Sequence, residues 1–285
     1  MADVRVQIMG ILNRTPDSFF DGGRYEGRDE GHRRVDALVA EGADIIDIGA
    51  ESSRPGSTPV SVAEQIDRLG DIVAYAASSG TTVSIDTLEP DVAAFALTEG
   101  AAIVNSVSLE PAAALGAVAQ AHGAELVLTH CRGAMSAMKG FSDYAEQAYD
   151  GVIEEVGYEW NRGAEAARQA GLDDERIIFD PGFGFAKNAE QSLTLANNLE
   201  ALRQRTGPGR RILAGVGRKS YLAKVAARQL GEEVIAVEER LALTIAGCIH
   251  AVLAGADILR VHDVAPVRQA LAYWRAAAPG EVPRC

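Results

Sequence analysis

Apolar positions along the chain fall into two alternating kinds of segment. Short runs rich in Ile, Val and Leu recur at 4–12, 44–48, 82–85, 102–104, 125–129, 176–179, 211–216 and 257–261. Runs of this length without polar alternation suit strands buried on both faces. Between them lie longer stretches with helical spacing, among them 29–41, 60–79, 89–98, 111–121, 144–170, 189–204 and 234–254. The punctuation repeats too: EGAD at 41–44, EGAA at 99–102, HGAE at 122–125 and AGAD at 254–257 each close a helical stretch and open an apolar run. Glycine just past a helix end accepts the left-handed geometry that finishes the last turn. The repeating unit is helix, glycine, buried strand.

Eight such strands joined by helices predict an α/β fold, a single (β/α)8 TIM barrel with residues 1–285 as one domain. An open doubly wound sheet is the competing arrangement. The absence of G-x-G-x-x-G after the first strand weakens its dinucleotide-binding form. Composition adds exclusions: a net charge of -13 argues against broad nucleic-acid or anionic-membrane binding. Cys131, Cys248 and Cys285 are too few and too scattered for a disulfide framework or a metal cluster. No apolar run is long enough to span a bilayer, and MADVRVQIMG lacks a signal-peptide apolar region, so a cytoplasmic protein is expected.

Barrel chemistry gathers at the C-terminal ends of the strands. Here those ends carry Asn13, Glu51-Ser52-Ser53-Arg54, Asp86, Asn105, His130, Asp180, Arg218-Lys219-Ser220, and Arg260 with His262. Taken singly, an Asp or Asn after a strand reads as a helix cap and a lone His as a core histidine. Capping has no use for Lys219, Arg260 and His262 at one rim. Asp86, Asn105, Asp180 and Lys219 offer acceptors and donors for the edge of a flat, N–H-rich heterocycle. Arg54, Arg260 and His262, with Asn13 as a hard-cation ligand, suit a phosphate or pyrophosphate and Mg²⁺. Three loops stand out: 13–23 with Phe19-Phe20 between Asp17 and Asp21, ESSRPGSTP at 51–59, and DPGFGFAKN at 180–188. Phe19 and Phe20 are read either as cover over a bound ring or as a plug in the barrel end.

The motifs IMGILNRTPDSFFDGGRY, GAESSRPGS, SIDT, DPGFGFAK, GRKSYL and RVHDV, in this order over essentially the whole chain, resemble the dihydropteroate synthase family. The resemblance implies an enzyme, a transferase of folate biosynthesis. Such an enzyme condenses 6-hydroxymethyl-7,8-dihydropterin diphosphate with 4-aminobenzoate, giving 7,8-dihydropteroate and pyrophosphate. It implies a pterin site of Asp86, Asn105, Asp180 and Lys219. Ser53, Pro55, Phe185, Lys219 and Ser220 would form an aminobenzoate pocket. The diphosphate would meet Arg54, Arg260, His262 and Asn13, with Asn13 ligating Mg²⁺. Asp21, Arg54, Lys219, Arg260 and His262 would be catalytic, Asp21 and Arg54 closing from two mobile loops. A homodimer through late barrel helices such as 241–254, and competition by sulfonamides, are further implications.

Four positions depart from the family's pattern: Arg14, Ser106 where Asp is usual, Asn188 for Thr, and Gly217 for Ser. Ser106 reads as loss of a charge near the pterin floor and is the best support for a rival, a pterin-binding paralogue without this activity. A second rival is a methyltetrahydrofolate-type pterin methyltransferase, which needs neither the RPG loop nor Arg260-x-His262.

Overall fold

The computed structural model describes residues 6–14, 28–51, 59–133, 140–145 and 148–277. Eight parallel strands alternate with helices: β1 (Gln7–Asn13), β2 (Ile45–Gly49), β3 (Thr82–Asp86), β4 (Ile103–Ser106), β5 (Glu125–Thr129), β6 (Ile177–Asp180), β7 (Leu213–Gly215) and β8 (Ile258–Val261). Their order, β6-β5-β4-β3-β2-β1-β8-β7, is that of a barrel opened at one seam. A parallel bridge between Phe179 and Ile212 and a Phe179 N–H to Arg211 carbonyl bond of 3.0 Å draw that seam together. The (β/α)8 expectation holds.

Helices α1 (Arg28–Glu41), α2 (Val62–Leu69), α3 (Ile72–Ser78), α4 (Pro90–Thr98), α5 (Ala112–His122), α6 (Val152–Gln169), α7 (Ala189–Asn197), α8 (Leu199–Thr206), α9 (Ser220–Leu230), α10 (Leu241–Leu253) and α11 (Val264–Ala277) surround the sheet. Two predicted helices are each a pair. Gly70, at φ 51, breaks 60–79, and Asn198 separates α7 from α8. The stretch 234–254 is shorter than its apolar pattern, because a 3-10 turn at Val237–Glu239 precedes α10. Helices α9 and α11 lie outside the ranges predicted for helix; their short apolar spacing follows directly on strand-end motifs.

The barrel interior explains where the site must be. Met9, Ile45, Ile103, Val127, Ile178, Leu213 and Ile258, one from each strand but β3, form a closed buried apolar cluster. Side chains alternate along a strand, so residues two further on share the same inward face. Those residues are Ile11, Asp47, Asn105, Thr129, Asp180, Gly215 and Arg260. The interior therefore changes within one layer from hydrocarbon to hydrogen-bonding groups, at the C-terminal end of the strands.

Candidate active site

Strand register sets the lateral order of the mouth. Asn13 lies beside Gly49, Gly49 beside Asp86, and Asp86 beside Asn105, so these residues form a continuous arc from β1 to β4. Gly49 keeps the arc open: a Cβ there would meet the Asp86 Cβ at 3.4 Å and Asn13 Oδ1 at 3.7 Å. On the opposite wall, a Cβ at Gly215 would lie 3.9 Å from both Asp180 Oδ2 and Lys219 Cε, so the missing side chain leaves room where these two groups meet.

Two carboxylates flank Arg260. Its Nε donates to Asp47 Oδ2 at 2.6 Å and its Nη2 to Asp86 Oδ2 at 2.7 Å. Asp47 Oδ2 also accepts from Asn105 Nδ2 at 3.1 Å. Asp47 was not among the expected site residues. Its signal was available, because a lone Asp inside the apolar run IIDIG on an inward position has no structural reason to be there. Burial pushes the Asp86 carboxyl up to about 7, against the pull of Arg260. Burial also raises Asp180, opposed by the Gly182 N–H, which donates to Asp180 Oδ1 at 2.7 Å. Thr129, facing inward beside Asp180, donates to its Oδ2 at 3.3 Å. Burial lowers Lys219 to about 8, with Asp180 pulling it back up. The Lys219 ammonium stands 4.0 Å from the centre of the Phe185 ring and 5.4 Å from that of Phe141, an aromatic corner completed by edge-to-face contact of the two rings at 5.3 Å.

The turn that delivers Lys219 is held from outside the barrel. Arg218, at φ 50, clamps Asp263 with Nε and Nη2 and donates Nη1 to the carbonyls of Val237 and Glu238. Gly217 packs closely there: a Cβ would lie 3.0 Å from the Val261 Cα and 3.3 Å from the His262 amide, so a side chain would need β8 to give by a few tenths of an ångström. Ser220, first in α9, sits 3.0 Å from the Ser142 hydroxyl and donates to the Phe141 carbonyl at 3.3 Å, at the edge of the same corner. His262 follows β8, and burial together with Arg260 lowers its imidazole to about 4, so it is neutral at pH 7. Ser53, Arg54, Pro55, Asp21 and the pair Phe19-Phe20 lie outside the described residues.

The DPGFGFAKN loop divides its aromatic residues. Phe183 goes into the core against Tyr221, ring centres 5.5 Å apart, whereas Phe185 joins Cys131, Ala186, Phe141 and Tyr144 at the mouth. Lys187 is fully buried beneath the loop. Its Nζ lies 3.0–3.1 Å from the carbonyls of His130, Gly182 and Phe185, which accept from it, and 2.9 Å from His130 Nδ1, so four acceptors share its N–H groups. A carboxylate only accepts, so Nε2 of the neutral His130 ring carries the proton toward Glu159, 2.9 Å away, and Nδ1 accepts from Lys187. Arg132 then clamps Glu159 and covers the Tyr149 ring at 3.8 Å. His130 is thus a satisfied core histidine, and burial with Lys187 lowers it to about 4. Burial raises the Cys131 thiol, which does not suit a nucleophile.

The departures from the family's pattern read differently in place. Ser106 faces the helical layer, one residue out of phase with Asn105, and donates to the Ser108 carbonyl at 2.7 Å. It does not line the pterin floor, contrary to the expectation from sequence. Asn188 caps α7 in a full capping box with Gln191. Arg14 Nε donates to the Arg68 carbonyl at 3.0 Å, tying the end of β1 to α2.

Above the apolar plug of this (β/α)8 barrel lie an acidic and amide floor, a lysine facing it, and Arg260 on β8 with His262 just after it, a set of donors and acceptors gathered at one mouth. The comparisons make this specific. The family model described as pterin binding enzyme matches residues 9–262, and the chain belongs to that family. The dihydropteroate synthase of Mycobacterium leprae is 40% identical over 280 residues, 96% of this chain and 95% of that one. The Xanthomonas albilineans dihydropteroate synthase solved with 4-aminobenzoic acid superposes with a TM-score of 0.81 at 34% identity, covering 97% of this chain and 94% of the other. The Burkholderia cenocepacia dihydropteroate synthase complexed with 7,8-dihydropteroate gives a TM-score of 0.79 at 34% identity, covering 96% and 91%.

Proposed function

We propose that this barrel is a dihydropteroate synthase, joining 6-hydroxymethyl-7,8-dihydropterin diphosphate to 4-aminobenzoate with loss of pyrophosphate. The observation that carries it is the set of Asp86, Asn105 and Asp180 at the strand ends above the apolar plug, faced by Lys219 from the turn before α9. Relatives of similar length, one solved with 4-aminobenzoic acid and one with 7,8-dihydropteroate, support the same reading.

The pterin lies on the plug with its edge against Asp86, Asn105 and Asp180. The carbon bearing the diphosphate sits next to an electron-rich ring, so C–O cleavage runs ahead of attack and positive charge spreads into the ring. Asp86 and Asp180 stabilise that charge across a site shielded from water. Arg260 keeps one amino group beyond those bound to Asp47 and Asp86, and with His262 it meets the departing diphosphate. His262, neutral in the free protein, first serves as a single N–H donor, and an anion beside it favours its protonation. Arg54 and Asp21, from the two remaining loops, complete the enclosure. The aromatic amine needs placement more than activation. Phe185, Ser220 and the Lys219 ammonium supply it, with Ser53 and Pro55 from the second loop.

Among the described residues no cluster of three or more His, Cys, Asp or Glu side chains could hold a metal. The donor set fits a Mg²⁺ ion that arrives on the diphosphate, because such an ion keeps most of its waters and needs few protein oxygens. Asn13, with Oδ1 at the rim beside Gly49, would supply one. Bound there, the ion would neutralise charge on the leaving group.

We also propose a homodimer through the late helices. One face of α10 is buried, while Leu230, Val234, Leu253 and Tyr273 are exposed apolar residues on and around α9, α10 and α11. Among the described residues no helix is long and apolar enough to cross a membrane, and we place the reaction in the cytoplasm.

The test is pyrophosphate release measured with each substrate alone and with both. Release that requires aminobenzoate supports the synthase, and sulfonamide should suppress it. Pterin binding without turnover would mark a paralogue, and methyl transfer from methyltetrahydrofolate would mark the other rival.

A further inference from the structure

Asp47 combines three features that a merely structural residue would not keep. It is completely buried on the inward face of β2. Its Oδ2 is shared by Arg260 Nε and Asn105 Nδ2, the contacts given above. Among the described residues its Oδ1 has no partner, and neither has the Ser84 hydroxyl that lies beside it in register. A buried carboxylate left half-satisfied opposes folding, and an apolar residue of similar size commonly stabilises more. What Asp47 does provide is orientation. A carboxylate only accepts, so the amide of Asn105 must turn its NH2 group inward to Asp47 and its carbonyl oxygen outward to the mouth. The same oxygen fixes Nε of Arg260 and leaves Nη2 for Asp86.

We infer that Asp47 is a positioning residue of the ring site, setting Asn105 as a hydrogen-bond acceptor toward the ligand and fixing the Arg260 fork that orders Asp86. This rests on the pterin-binding reading above. It implies selection for a ring that presents N–H to Asn105. The residue acts through two others and touches no reacting atom.

An exchange of partners tests it. Asp47→Asn brings an NH2 group that competes for the Asn105 carbonyl and turns the amide over. Asn105→Asp sets two carboxylates face to face. Each single change should lower affinity for 6-hydroxymethyl-7,8-dihydropterin diphosphate, titrated calorimetrically without aminobenzoate, by about tenfold or more, the effect of one lost charge-assisted hydrogen bond. The double change D47N/N105D restores one donor facing one acceptor and leaves an oxygen toward the mouth, so affinity should return to within a few-fold of the parent. In steady state the KM for pterin diphosphate should follow the same pattern, while the KM for aminobenzoate moves little. A double variant no better than the worse single one, or Asp47→Asn binding as the parent does, would overturn the assignment. If Asp47→Asn does not fold, the comparison of Asn105→Asp with the double variant carries the test. Absence of pterin binding by the parent chain would instead count against the functional reading itself.

Discussion

Single residues at this mouth show how strictly the two faces of a strand divide their work. Asn105 looks into the barrel and Ser106 looks out, although they are neighbours, because β4 alternates and Ile103 fixes the phase. Ser106→Asp should therefore leave pterin affinity within a few-fold of the parent, measured by calorimetric titration. It should cost about 1–3 kcal/mol of stability in urea unfolding, since the lost hydroxyl donor leaves the buried Ser108 carbonyl unpaired. A large fall in pterin affinity at unchanged stability would return Ser106 to the floor. The polar types at the strand ends, Asp86, Asn105, Asp180 and Lys219, were legible from sequence because little else puts them after apolar runs. Asp47 was not singled out, since it sits within its run rather than after it. The phase of Ser106 was not used because period two needs one inward residue as a reference, and only the packed apolar layer supplies it.

At the scale of an element, the 180–188 loop is held by its backbone. Gly182 has φ 67, and a Cβ on it would fall 2.1 Å from the His130 carbonyl oxygen, an atom that Lys187 also binds. Gly184 at φ 79 and Ala186 at φ 51 continue the left-handed path that presents Phe185 to Lys219. Gly182→Ala should destabilise the chain by about 3 kcal/mol or more in urea unfolding, because backbone strain and a clash with rigid backbone combine. It should also raise the KM for aminobenzoate by moving Phe185. Gly80 separates the two causes. It has φ 78 with nothing within 4 Å of a Cβ, so Gly80→Ala should cost only about 1–2 kcal/mol, the left-handed conformation alone. Equal losses at the two positions would refute the clash. Sequence revealed this segment as a loop, through Pro181, Gly182 and Gly184, but gave Lys187 no place within it. The lysine lies under the loop, where the carbonyls of Gly182 and Phe185, together with that of His130, need a donor. Helix ends were missed for a similar reason: Gly70 and Asn198 interrupt amphipathic patterns that continue across them.

Across the whole molecule, the buried groups of the mouth and of the adjoining network couple folding to pH in opposite directions. His130 takes up a proton near 6.5 in the unfolded chain but only at about 4 when folded, so between those values the unfolded state binds more protons. Its contribution is complete above pH 6.5 and diminishes as pH falls toward 4, by up to roughly 3 kcal/mol. His262 behaves alike. Asp86 does the reverse, since its folded carboxyl holds a proton up to about 7 and the unfolded one releases it near 4, so acidification favours the fold through this group. The wild-type curve between pH 7 and 4 is a difference of these terms, and its slope alone assigns nothing. A comparison at one residue does. His130→Gln keeps an acceptor and a donor between Lys187 and Glu159 but removes the titration, and should be less stable than the parent at pH 7. That deficit should shrink as pH falls from 6.5 to 4, because only the parent loses the histidine contribution there, whereas Asp86 and His262 act in both chains. Urea unfolding in steps across that window measures it. A deficit that stays constant down to pH 4 would mean that His130 protonates alike in folded and unfolded chains. That would contradict its burial against the Lys187 ammonium.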